Sequence, residues 1–442
     1  MYIPIIDSIL GYHSMVPSTL PLDKSNFSLD TSGVAGVFGG DEAVSAMATV
    51  HVYENRRWLG WYNSPGSYQI AKRYGLLAKS RFFDDFFSDV HADPATLFEL
   101  DGWKAPKFRA AHSGSVIDET GHLAALFMKE CASINGEVVE GTRKETRPVG
   151  VTVAQLKHVP APHIYPERIN AYTPIVASIP ISISIGTCLA CGIFEDWYSF
   201  SLILLGIFTS GISCLVIGSG KFVFTHPYPA EGSPPGDGVL SSGKETVLLM
   251  GAEGAVNSIT RGRFSLSFST EHQYENIGWC SVLLTIQFIA QLLLIPQGSL
   301  FGQIMFVASL GVSWTYNSWL SSLDKEKIQW DILFNSVLGK PVLTKYTFGT
   351  RTTMVVFILL VLRPEEPTKI LNELLPNDTK VWRQWKETIV QRLRMGERLE
   401  FADEDWVLEG FNRQERLLLE TLYGDAQTAD GRYVQYAASN SE

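Results

Sequence analysis

Four glutamines, Gln287, Gln291, Gln297 and Gln303, stand in the run LLTIQFIAQLLLIPQGSLFGQIMF, which is otherwise almost wholly apolar. An amide offers donors and an acceptor without carrying charge. Such residues suit either the lining of a path for an uncharged solute or a set of fasteners between helices. Other groups point to chemistry less sharply. CLAC puts Cys188 and Cys191 at the CxxC spacing used for metals and redox, but no second pair accompanies it and its neighbours are apolar. Small hydrophobic residues inside a span are the simpler reading. DDFFSDVHAD gathers Asp84, Asp85, Asp89, His91 and Asp93 at no established ligand spacing, which favours a solvated acidic face over a metal site. His112 precedes Ser113 and Ser115 without a GxSxG elbow and reads as part of a polar loop. VLLMGAEGAVNSITRGRF joins a strand-like start to Gly251, Gly254 and a helix, yet lacks both the GxGxxG fingerprint and the Walker lysine. A glycine-containing turn before a membrane-proximal helix fits better, with Arg261 and Arg263 meeting lipid phosphates. The histidines include no HExxH, and no catalytic residue, metal or cofactor is expected.

The elements that must position the glutamines follow from charge. No charged residue occurs between Arg168 and Glu195, between Asp196 and Lys221, or between Glu275 and Asp324. A membrane-spanning helix needs about 20 apolar residues. The first two windows therefore predict one span each and the third predicts two, at roughly 170–193, 198–219, 277–296 and 299–321. Arg168, Lys221, Lys244, Lys325 and Lys327 flank the windows, whereas the short turns EDW and IPQGS carry no Lys or Arg. Positive charge is retained on the cytosolic side, so both termini are expected there. The start, MYIPIIDSILGYH, lacks the basic region of a cleaved signal peptide.

The expected fold is an α-helical integral membrane protein with four transmembrane helices in two hairpins and cytosolic regions of mixed or helical structure. Its segments are an N-terminal cytosolic region, 1–168; a first hairpin, 169–220; a cytosolic loop with a flexible linker and a juxtamembrane segment, 221–276; a second hairpin, 277–323; and a mainly helical region, 324–442. Thr352–Leu362 is too short to cross and reads as a buried cytosolic helix or strand. Val381, Trp382, Trp385, Ile389 and Leu393 make one apolar stripe, which suits a helix packed on the cytosolic region or lying on anionic lipid.

Small residues recur in the first two spans at four-residue intervals: Ser178, Ser182, Gly186 and Ala190, then Gly206, Ser210, Cys214 and Gly218. Each series makes a groove where another backbone can approach, either within the first hairpin or from a second copy of the chain. In the second hairpin, a turn after Gln297 sets Gln291 level with Gln303 and Gln287 level with Ser309. An unpaired amide in hydrocarbon is costly, so these pairs are expected to fasten the hairpin. No ionisable residue lies inside a predicted span, which argues against a charged-ion pathway. No block of basic residues suggests nucleic acid. The expected partners are the lipid bilayer and a second copy or another membrane protein.

QLLLIPQGSLFGQIMF, with SSLDKEKIQ after it and GAVNSITRGRF before the third span, resembles multi-pass membrane proteins of higher fungi that have no assigned activity. The resemblance covers about residues 245 to 340, implies a membrane protein and carries over no catalytic residue. The expected role is anchoring or assembly of cytosolic regions at a membrane. The alternative is a transporter or channel subunit for a neutral solute.

Overall fold

The computed structural model describes residues 21–22, 25, 38–51, 55–78, 100–102, 106–141, 148–161, 173–243, 245–268 and 271–439. Along the chain run α1 (Gly40–Ala48), α2 (Ser67–Leu77), β1 (Lys107–Ala110), β2 (Val116–Ile117), α3 (His122–Ser133), β3 (Glu137–Val139) and β4 (Val149–Leu156). Next come α4 (Thr173–Ile193), α5 (Trp197–Ile217), β5 (Lys221–Thr225), β6 (Gly238–Ser242), β7 (Glu245–Gly251), α6 (Glu253–Thr260) and β8 (Arg263–Ser267). The remainder is α7 (Glu271–Leu294), α8 (Leu300–Ser321), α9 (Lys325–Ile332), β9 (Val342–Phe348), α10 (Arg351–Leu362), α11 (Pro367–Leu374), α12 (Lys380–Met395), α13 (Asp403–Trp406) and α14 (Arg413–Ser439).

Two compact units interleave along this order. One comprises Met1–Leu100, Glu167–Val223 and Ser265–Asp324; the other comprises Asp101–Pro166, Phe224–Phe264 and Lys325–Glu442. This differs from five consecutive segments. Residues 38–78, expected in a cytosolic region, belong with the apolar helices.

Among the described residues of the helical unit, three helices are long and apolar enough to cross a membrane: Pro174–Ile193, Trp197–Ile217 and Tyr274–Gln297. Helix α4 continues through Pro180. Helix α8 is of similar length but carries Gln303, Asn317 and several serines, and its most apolar stretch is less apolar than those of the other three. Its polar side chains are tolerable because one face is shut in by protein: Gln303, Phe306, Ser309, Leu310, Ser313, Asn317 and Leu320 are all buried. Helices α7 and α8 do not pack as a pair. Helix α7 lies against α5 and α2, and α8 lies against α4 and α1.

The second unit holds a seven-stranded mixed sheet in the order β2-β1-β6-β7-β4-β9-β3. Strands β4 and β7 pair in parallel at its centre, with Val153 opposite Leu248, and β4 pairs antiparallel with β9. Buried strands need no polar alternation, and the run TVLLM accordingly lies in the interior. Val151, Val153, Leu248, Tyr346 and Phe348 share a core with α10, α12 and α14. The expectation of a buried helix at Thr352–Leu362 is met, since all of α10 from Thr352 to Leu360 is buried. The flexible linker expected in 221–276, read from the Pro-, Gly- and Ser-rich run Thr225 to Lys244, is corrected in part, because Gly238–Ser242 is a paired strand of this sheet. A largely helical chain thus also contains a seven-stranded sheet, where the expected fold class gave only regions of mixed or helical structure. Strands β5 and β8 form a separate two-stranded sheet.

Candidate functional site

The segment Arg57–Gly66, RWLGWYNSPG, lies between α1 and α2; Trp58 is exposed, and from Tyr62 to Gly66 the chain is buried in the helical unit. It follows the groove on α5 made by the small residues Gly206, Ser210, Cys214 and Gly218. A Cβ on Gly218 would overlap that of Arg57, one on Gly60 would overlap Cys214, and one on Gly206 would overlap Asn63 Oδ1. Gly211 receives the ring of Trp61 in the same way. The twelve residue steps from Gly218 back to Gly206 cover about 18 Å of helix, with Arg57 at one end and Asn63 at the other. The segment follows it as a 3-10 turn, Arg56–Trp58, and a second tight turn in which the Tyr62 N–H donates to Gly60 O at 2.9 Å. The turn Ser64-Pro65-Gly66, with Gly66 at φ +74°, then starts α2, which returns antiparallel to α7. Ala71 O accepts from Ser281 Oγ at 2.7 Å, and the Tyr68 ring lies 5.3 Å from that of Phe288.

The tip of this hairpin is polar and buried. The Asn63 backbone N–H donates to Ser184 Oγ on α4 at 3.0 Å, and its side-chain Nδ2 donates to Ser309 Oγ on α8 at 2.8 Å. The Tyr62 hydroxyl donates to Asn317 Oδ1 at 2.8 Å, and Asn317 Nδ2 donates to Ser64 Oγ at 3.3 Å. Irregular backbone inside an apolar bundle persists only where protein satisfies its polar groups, and Ser184 does so here. At the mouth of the hairpin Arg56 is buried, donates Nη2 to Tyr62 OH at 3.4 Å and lies over the Tyr316 ring at 5.4 Å. A cation over an aromatic face recovers part of its lost hydration.

The glutamines are arranged differently from the expected pairs. Gln287 Oε1 accepts from Thr209 Oγ1 on α5, so it joins α7 to the first hairpin rather than to Ser309. Gln303 Nε2 donates to the carbonyls of Gly298 at 3.1 Å and Pro296 at 3.4 Å, closing its own turn instead of meeting Gln291. Gln291 is 0% exposed and neither amide atom has a hydrogen-bond partner. Its Nε2 stands 3.3 Å from the point where a Cβ on Gly206 would lie, beside Asn63. Gln297 is exposed in the turn Ile295–Gln297. The expected pairing failed because α7 and α8 separate, admitting residues from far earlier in the chain.

The two small-residue series also part ways. Gly206, Ser210, Cys214 and Gly218 do receive a backbone, though from residues 57–63 rather than from the first hairpin or a second copy. Ser178, Ser182 and Gly186 are exposed and Ala190 is half-buried, and nothing lies within 4 Å of a Cβ on Gly186. The face of α4 turned inward carries Ala177, Ser184, Cys188 and Cys191 instead. Cys188 and Cys191 pack with Leu202, Ile203, Phe306 and Leu310, as expected of small apolar side chains.

At the turn end of the bundle, the buried Asp196 carboxylate caps two helices. It accepts from the Ser199 N–H at 3.0 Å and from the Ser299 N–H at 2.8 Å, and Ser299 Oγ donates to it as well. Hydrogen bonds to a charged acceptor contribute about 1.5–3 kcal/mol. Asp196→Ala is therefore expected to lower the thermal midpoint of the detergent-solubilised protein, with a loss of at least that size. An unchanged midpoint would contradict the linking role.

In the second unit, the loop after β7 does not suit phosphate. Asp237 Oδ1 already accepts from the Gly251 N–H at 2.7 Å, and Glu253 begins α6, so acidic groups occupy the place an anion would take. Arg261 and Arg263 are exposed around the end of α6. His112 Nε2 lies 3.5 Å from Asp237 Oδ2, while Ser113 and Ser115 bond to each other, as suits a polar loop. Burial pushes the Cys131 thiol up to about 12, opposed by nearby Lys345, so it stays protonated and unreactive. The stripe Val381, Trp385 and Ile389 is buried in the core, which resolves α12 as a packed helix. A groove of about 500 Å³ beside it contains Lys386, whose Nζ donates to Asn372 Oδ1 and to Leu375 O. That ammonium serves to close α11, and burial lowers its pKa. Among the described residues no cluster of His, Cys, Asp and Glu could hold a metal ion. The acidic run Asp84–Asp93 lies outside the described residues.

Comparisons of the chain with protein-family models, curated proteins and solved structures return no match.

Proposed function

We propose that the protein is a four-span membrane protein, with both termini cytosolic, that anchors an α/β unit at a membrane and assembles with partners there. One observation carries this reading. Large apolar side chains point outward along α4, α5 and α7, among them Ile175, Ile179, Leu189, Phe208, Ile286 and Leu293, while the other unit has a complete core of its own. An exposed apolar belt of this extent needs a non-aqueous surrounding. The fourth span is α8, whose polar face is covered by α1, α4 and the hairpin tip.

The orientation rests on charge and aromatic residues. Trp197 and Tyr198 are exposed at the turn end, and Trp279 and Trp319 are exposed toward the opposite end, which suits two interfacial belts. Helix α2 returns toward that second end with Lys72 and Arg73, adding to the basic flanks. Residues 57–66 then form a re-entrant hairpin from the cytosolic side.

The test is membrane extraction combined with glycosylation mapping. The chain is expected to resist alkaline carbonate. An acceptor sequon inserted beside Glu195 should gain sugar, whereas Asn377, exposed in the sequon Asn377-Asp378-Thr379, should not. Release by carbonate, or sugar on Asn377, would overturn the reading.

A further inference from the structure

Several polar atoms inside the helical unit are buried and have no protein partner: at its centre both amide atoms of Gln291, Nε2 of Gln287, Oδ1 of Asn63 and the hydroxyls of Ser210 and Ser313, and at its turn end the hydroxyl of Ser199. Leaving a buried donor or acceptor unmade costs about 1–3 kcal/mol, and folded proteins meet such groups with a guest, commonly water. The open groups also extend lengthwise. Ser199 lies in the first turn of α5 and Ser210 lies eleven residues on, about 16 Å along the axis, with Asn63 and Gln291 beside Gly206 between them.

We propose that these groups form a file that binds, and lets pass, a small uncharged molecule bearing both donors and acceptors, in the size range of water, urea or glycerol. The residue types select that class. Amides and hydroxyls present both hydrogen-bonding senses, whereas no carboxylate or amine lies within the charge-free windows to compensate an ion's lost hydration. Arg56, buried where the Arg57–Gly66 segment enters, adds a fixed positive charge that opposes cations and protons. The broken segment supplies what a continuous helix cannot, an asparagine tip facing α4, α5 and α8 at once. The inference rests on the four-span reading and goes beyond anchoring; extraction and topology test the spans, and flux tests the file.

The experiment is stopped-flow light scattering of liposomes reconstituted with the full chain, against sucrose for water and against urea and glycerol gradients for solutes. At least one permeability should exceed that of protein-free vesicles fivefold or more. Gln291→Met, which keeps the volume and removes the amide, should reduce the excess at least tenfold. Thr187→Val should keep it, because that hydroxyl bonds only the Ile183 and Ser184 carbonyls of its own helix. If Gln291→Met does not elute as folded protein, Ser210→Ala reads the same file, with a reduction of threefold or more. A rise for water alone supports the file and restricts its guest to water; a rise for urea or glycerol assigns the solute. No excess for any of the three, or an excess that survives in the folded Gln291→Met and Ser210→Ala variants, would overturn the proposal.

Discussion

Gly206→Ala is expected to lower the thermal midpoint of the helical unit, by a loss of about 1–3 kcal/mol, whereas Gly186→Ala is expected to leave it intact or slightly more stable. Both glycines sit mid-helix, where exchange for alanine ordinarily gains about 1 kcal/mol. The difference is what the new methyl meets. At Gly186 there is open space, while at Gly206 it overlaps Asn63 Oδ1 and comes within 3.3 Å of Gln291 Nε2. Overpacking costs about 1–3 kcal/mol where side chains can shift. The Asn63 side chain cannot turn away without losing its bond to Ser309, and moving its backbone instead loses the bond to Ser184, so the hairpin tip is loosened either way. Thermal midpoints in detergent, read by size exclusion, test the pair. A Gly206→Ala midpoint equal to that of the unaltered protein would show that the groove does not hold the Arg57–Asn63 segment.

Trp385→Ala should have the largest effect in the other unit. The side chain is 0% exposed, lies in the core shared by the sheet and α10, α12 and α14, and donates Nε1 to Leu422 O at 3.1 Å. Deleting a buried tryptophan costs about 3–5 kcal/mol, against a whole-domain stability of about 5–15 kcal/mol. The expected result is rapid proteolysis within α12 and α14 under conditions that spare the unaltered chain. Trp279→Ala, by contrast, removes an exposed ring and should leave the cleavage pattern unchanged.

The apolar helices were legible because charge is absent from long windows, a signal that needs no partner to interpret. The burial of Thr352–Leu362 and the stripe Val381, Trp385, Ile389 were legible for a related reason, length and period, although helix or strand for the first and core or lipid for the second stayed open until their neighbours were seen. The centre of the helical unit was not. Its key residues come from RRWLGWYNSPGS, where two arginines and a turn signal argue against an apolar interior, and the groove on α5 with the partners on α4 and α8 stabilises that arrangement. The series Gly206, Ser210, Cys214 and Gly218 did announce a close backbone approach, but spacing cannot name the visitor. The series from Ser178 to Ala190 misled, since a four-residue interval says nothing about which face of a helix is turned inward. The sheet escaped notice because β4 and β7, buried on both faces, lack the alternation by which strands are read, and their partners arrive from three separate stretches of chain.

The central structural claim, that residues 57–66 enter the bundle and set Asn63 between α4 and α8, is tested most directly by a cross-link. In a variant whose five native cysteines, all free and buried, are replaced by alanine, Asn63→Cys and Ser309→Cys are introduced together. A protease site is placed between Tyr228 and Ser233, in the stretch before β6. The account predicts that, after oxidation and cleavage, the two fragments remain joined without reductant and separate with it, because Asn63 Nδ2 and Ser309 Oγ lie 2.8 Å apart in the folded chain. Fragments that separate without reductant, while an Ala71→Cys and Ser281→Cys pair in the same background stays joined, would contradict it.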